Sequence, residues 1–144
     1  MVIRRRFLKF LVPSLTVIAT LLGFLIGFAP QRERVTVRYA VLFTTEAELV
    51  TAFAVGDRLT DGASKGELGT ITAIDVSAAM GENERGAFSL PNKSRVILTI
   101  IGEGTKKGTV LTVSGIPLLM GKRLSLHGRG TAYGVCLWAE EVTE

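Results

Sequence analysis

From Leu11 to Ala29 the chain carries no charged side chain, and Arg4, Arg5, Arg6 and Lys9 stand just ahead of that run. No other feature restricts the possible folds as much. A run of 19 uncharged residues, wound as a helix at about 1.5 Å per residue, reaches across roughly 30 Å of hydrocarbon. Only a helix satisfies its own backbone there. The cations ahead of it hold that end in the cytoplasm, so the remainder of the chain is expected on the outer side. Pro13 falls in the first turn of the run, where a missing N–H costs little. A buried soluble helix would be apolar on one face only, whereas this run lacks charge all round.

A cleaved export signal begins in a similar way, but its apolar stretch is shorter. Gly27 and Ala29 could precede a cut, yet Pro30 would then follow it. The expectation is an uncleaved anchor. It divides the chain into a cytoplasmic flank (1–9), a transmembrane helix (10–29) and an extracytoplasmic β domain (34–144). Gly23 and Gly27 form a G-x-x-x-G pair inside the span, a spacing that lets a second helix approach closely.

Charge then needs to be located rather than summed. The net charge is +4, with 17 basic and 13 acidic residues, and four of the basic ones lie in the flank. Thirteen cations after the span balance thirteen acids, so the basic excess reports topology and no nucleic-acid partner is expected. Roughly 110 residues remain for one small domain.

RVTVRYAVLF alternates, with Val35, Val37, Tyr39, Val41 and Phe43 on one face, as a strand requires. It follows the span almost without a linker. TTEAELVTAFAVGD then predicts a helix of two or three turns, capped by Thr45 and Glu48, with Leu49, Val50 and Phe53 facing the core and Gly56 as the stop. RLT and LGTITAIDV flank the loop DGASKG as a hairpin, and the parity change between Ile71 and Ile74 predicts a bulge near Ala73. Asp57 and Asp61 read as turn residues.

Residues 79–94 (AMGENERGAFSLPNKS) are polar and without period, and predict a projecting loop. Phe88 and Leu90 form an apolar island in it that could equally touch a partner or lipid or tuck under the domain. RVILTIIGEG predicts a central strand covered on both faces. GTVLTVSG, RLSLH and TAYGVCLWAEEV complete seven or eight short strands, with hairpin turns at 102–108 and at Gly121-Lys122. The fold class is therefore mainly β: a transmembrane helix, then a small closed or nearly closed barrel with one short helix.

Catalytic chemistry is not expected. Cys136 is the only cysteine and lies in a strand pattern, and His127 is the only histidine. Neither forms a metal set or a triad. The glycines of 102–108 fit no phosphate-loop spacing. No catalytic, cofactor-binding or metal residues are assigned, and no cofactor is expected.

Taken together, the basic start, the single span, VGDRLTD, ELGTITAI, RVILTIIGEG and PLLMGKRLSL resemble a bacterial family of membrane-anchored proteins, the domain of unknown function 4330. The resemblance covers nearly the whole chain and implies membrane anchoring but no activity. LGTITAI is also similar to a strand–turn–strand of mammalian-cell-entry domains, which implies a ring-forming barrel in lipid transport. The hairpin resembles lipoyl-type barrels too, without a lysine at its tip. The expected function is a non-enzymatic module that presents a barrel at the outer membrane face for envelope complex assembly. Its partners would be membrane lipid and copies of itself or a larger membrane complex. A lipid- or polymer-transport accessory ranks second, and an envelope hydrolase third.

Overall fold

The structure is a computed structural model that describes residues 16–24 and 32–144. Two compact units divide the chain, one ending at Gln31 and the other running from Arg32 to Glu144.

In the first unit, residues 16–24 are helical, and every side chain of that segment is exposed. Val17, Ile18, Leu21, Leu22 and Phe24 are each more than half exposed. The hydroxyl of Thr20 donates back to the Thr16 and Val17 carbonyls at 2.8 and 3.0 Å, which satisfies it within the helix. No helix among the described residues is long and apolar enough to cross a membrane. The flank Arg4, Arg5, Arg6 and Lys9, the outer parts of the 10–29 span, and Gly27 lie outside the described residues.

The second unit is built from eight strands: β1 (Glu33–Glu46), β2 (Arg58–Asp61), β3 (Glu67–Asn83), β4 (Gly86–Lys107), β5 (Val110–Val113), β6 (Ile116–Pro117), β7 (Arg123–His127) and β8 (Thr131–Glu141). Every pairing is antiparallel. Hydrogen-bonded neighbours run β1-β8-β7-β2-β3-β4, and β4 returns to β1, so six strands close a ring. β5 and β6 continue outward from the end of β4. The longest ladder is β1 on β4, from Glu33↔Lys106 to Glu46↔Lys93. Within the ring the shortest is β2 on β7, only Thr60↔His127 and Asp61↔Leu126.

Alternation explains the interior. Val37, Tyr39, Val41 and Phe43 of β1 are buried, as are Val96, Leu98 and Ile100 of β4 and Leu124 and Leu126 of β7. A six-stranded ring has room for little besides these side chains. Phe43 meets Phe53 at 5.4 Å with tilted rings, a geometry favourable for aromatic pairs. Tyr39 is fully buried, and its hydroxyl donates across the interior to the Leu68 carbonyl at 2.7 Å. Burial, with the Cys136 thiol beside it, holds that hydroxyl protonated well above the ordinary phenol range. The register shift between Ile71 and Ala73 is the bulge that the parity change predicts.

Three expectations need correction. The helix after β1 is a single 3-10 segment, Ala47–Ala52, with no buried residue and no side-chain cap. Thr45 cannot cap it because its backbone belongs to β1, opposite Ser94. Leu49 is exposed, Val50 is half-buried against the core as expected, Phe53 is the buried residue beyond the helix end, and Gly56 forms a later turn at φ 93°. The stretch 79–94 is no loop. β3 runs to Asn83 and β4 begins at Gly86, so the two make a hairpin with a two-residue turn. Arg85 N–H donates to the Asn83 side chain at 2.9 Å and Gly86 takes φ 113°, which fixes that turn. Lastly, 102–107 is strand, and only the stretch beyond Lys107 turns.

Candidate functional site

The hairpin projects because its neighbours stop. β1 ends at Glu46, opposite Lys93, so residues 79–92 have no third strand beside them. Counting from Lys93 to the turn, the arm extends roughly 20 Å past the barrel. Its base is kinked. Ala78 pairs with Ser94 and Met80 with Ser89, so Ala79 alone faces the four residues Leu90 to Lys93. Pro91 offers no N–H, and Asn92 takes φ 58°, both suited to a bulge. Phe88 is 42% exposed and lies across Gly81, where its ring comes within 2.8 Å of the place a Cβ would occupy. Leu90 is half-buried at the kink. Phe88 thus stands on the outer arm, with exposed Met80 and Val76 on the strand opposite. Gly23 sits on the 16–24 helix with open space where a side chain would be.

At the other end of β1 lies a cleft of about 890 Å³. Its floor is the outward face of β1, β4 and β5: Arg34 stands opposite Thr105, Thr105 opposite Thr112, and Thr36 opposite Glu103. Arg32 and Lys107 complete its cationic rim, and Ser114 adds a hydroxyl. Alternation sorts charge between the two faces here. Glu33, Lys106 and Glu141 share the opposite face, where the Lys106 ammonium meets Glu141 at 2.6 Å. That hydrogen bond raises the Lys106 pKa. Among the described residues no carboxylate stands within 4.0 Å of Arg32, Arg34 or Lys107. The sequence reading missed this cleft. Balanced totals hide a segregation by face, although the parity of Arg34 and Thr36 against Val35 and Val37 carries it.

The remaining polar groups have structural partners. The Asp57 carboxylate takes the Ala54 N–H at 2.9 Å and a forked pair from Arg129, with Nε 3.1 Å from each oxygen. The Arg129 hydrogen bond holds its pKa below the ordinary value. Asp61 is buried and accepts the Ser64 N–H and hydroxyl, both at 2.8 Å, and the backbone bond holds it low as well. Both therefore do turn work, as their sequence setting predicts. His127 is exposed at the end of β7, 3.2 Å from the Thr131 hydroxyl. Cys136 is buried, and burial pushes its thiol up, away from the reactive thiolate. Trp138 is 41% exposed at the rim. A second, more apolar cleft of about 500 Å³ lies between β7 and β8 over Leu42 and Leu124.

An acid-stability prediction follows from the two aspartates. A carboxyl held below its unfolded value of about 3.9 contributes stability above that pH and loses it as pH falls through the folded value. The thermal midpoint of the full chain in detergent is expected to drop below roughly pH 4. Asp61→Asn should flatten that acid limb. An equally steep limb in the variant would show that other carboxyls carry it.

Compared with protein-family models, curated proteins and solved structures, the chain matches none.

Proposed function

We propose that this chain is a non-enzymatic, single-pass membrane-anchored module that presents its barrel at the outer face of the membrane for assembly of an envelope complex. One observation carries the reading. Residues 16–24, inside the uncharged run, form a helix whose large apolar side chains are all more than half exposed. Apolar surface of that kind needs lipid or another helix as cover. The cations before the run orient it with the amino terminus inside. Gly23 offers open space for a second helix, and the projecting hairpin offers Phe88 and Met80 at the far end of the barrel. The barrel interior is filled by side chains, which weighs for assembly over a lipid path through a single barrel.

The test uses the full chain with a reporter at Glu144. Membrane fractions washed at high pH should retain the chain. A phosphatase reporter should be active and a fluorescent-protein reporter dark. Mass measurement in detergent should give a dimer or larger particle. Recovery in the aqueous fraction, or a bright cytosolic reporter, would overturn the anchor. A bare monomer would overturn the assembly role.

A further inference from the structure

We infer that the cleft over β1, β4 and β5 binds the headgroup of an anionic phospholipid, a phosphodiester carrying free hydroxyls. The inference rests on the anchored reading above. Three cations, Arg32, Arg34 and Lys107, border one concavity, and none has a carboxylate partner among the described residues. With Glu103 on the same lining, the concavity keeps an excess of two positive charges, which a bound anion would offset. Arginine suits that anion, because its planar fork matches two phosphate oxygens at once. The row Thr105 and Thr112, joined by Ser114, supplies hydroxyl donors beside the cations.

Glu103 selects among phosphates. It stands opposite Thr36, one step along the same face from the Arg34–Thr105 pair. A carboxylate there repels a bare or terminal phosphate but accepts hydrogen bonds from headgroup hydroxyls next to a phosphodiester. Position along the chain selects lipid over a free ion. Arg34 comes five residues after Ala29, where the uncharged run ends, so the chain itself allows at most about 18 Å between them. Headgroups occupy roughly the first 5–8 Å outside the hydrocarbon, and their negative potential decays over about a further 8 Å. Only a nearly fully extended linker would carry the concavity past that zone of roughly 13–16 Å; on any shorter course it meets phosphodiesters at high local concentration, each cation adding to the attraction.

The experiment reconstitutes the full chain in nanodiscs of equal parts phosphatidylglycerol and phosphatidylcholine. Lipid retained after gentle release is identified by native mass spectrometry. Phosphatidylglycerol is expected to be retained preferentially. Arg34→Gln with Lys107→Gln should lower that preference roughly thirtyfold, as loss of two near-surface cations implies. Arg38→Gln removes one charge from the same strand as Arg34, where Arg38 is already paired with Glu140 at 3.2 Å, and should leave the preference intact. The single variant Arg32→Gln, outside any strand, should show a smaller loss and guards against misfolding of the double variant. Equal preference in wild type and the double variant would overturn the cleft. So would 10 mM inorganic phosphate in the buffer stripping the lipid, since the ligand is then a free anion. A chain that never enters the discs would fail earlier and visibly, overturning the anchored reading and the headgroup site with it.

Discussion

Gly69→Ala is expected to lower the urea midpoint of the barrel by about 2 M, enough to leave the chain largely unfolded under mild stress. The reason is a close crossing of two backbones. Gly69 takes φ 128°, and a Cβ on it would lie 2.3 Å from the Ile101 carbonyl oxygen and 2.7 Å from its carbon. The contact is reciprocal, since a Cβ on Gly102 would lie 2.5 Å from the Leu68 carbonyl oxygen. Neither partner is a side-chain tip that could swing aside. That same Leu68 carbonyl accepts the buried Tyr39 hydroxyl, so any shift there disturbs the interior as well. Backbone strain of about 1–3 kcal/mol joins an overpacking cost of about 1–3 kcal/mol. A domain of this size has only about 5–15 kcal/mol to lose. Gly121→Ala separates the two causes. Gly121 also has positive φ, at 82°, but nothing lies within 4 Å of its absent Cβ. It should cost about 1 kcal/mol. Denaturation of the full chain in detergent, followed by Trp138 fluorescence, reads both. Equal shifts for the two variants would mean that the crossing is not what fixes Gly69.

Leu21→Arg is the second large effect. Leu21 lies in the middle of the uncharged run and is 58% exposed on its helix. Arginine there would cut the run into stretches of ten and eight residues, each too short to span. A central arginine costs roughly 2.5–3.5 kcal/mol of insertion, a factor of about 100 or more in the equilibrium. The variant is expected in the aqueous fraction or degraded, while Leu21→Ala stays with membranes after a high-pH wash. Retention of the arginine variant to the same extent would show that something other than this run holds the chain to lipid.

How far the sequence could be read depended on whether one face of each segment was buried. In β1 the alternation from Val35 to Phe43 is plain because the interior demands it, and the bulge near Ala73 shows as a broken parity for the same reason. The hairpin arm escaped notice because both of its faces are exposed. From Met80 to Ser89 nothing selects alternation, and Gly81 and Gly86 imitate a loop. The capping box at Thr45 and Glu48 was a local signal outbid by a distant one, since the β1–β4 ladder takes the backbone of Thr45 and Glu46. Gly102 and Gly104 resemble turn residues but are strand positions where backbones pass closely; a Cβ on Gly104 would lie 2.5 Å from the Thr112 carbonyl oxygen. The cationic cleft was invisible for a different reason. Arg32, Arg34 and Lys107 are 75 positions apart at the extremes and meet only because β4 returns beside the start of β1.

β2 has only two ladder positions on β7, Thr60↔His127 and Asp61↔Leu126, helped by the Thr60 hydroxyl on the His127 carbonyl and by Gly62 N–H on Ser125, whereas β1 is laddered to β4 along its whole length. A cylinder fastened so unevenly unzips along its weakest line. The β2–β7 latch should therefore breathe first, giving amides there the fastest exchange with solvent, while those of Tyr39 and Leu98 wait for global opening. Folding would run the other way. The local β3–β4 hairpin would form first, the long-range β1–β4 pairing after it, and closing the latch would be the last step that turns a curled sheet into a tube.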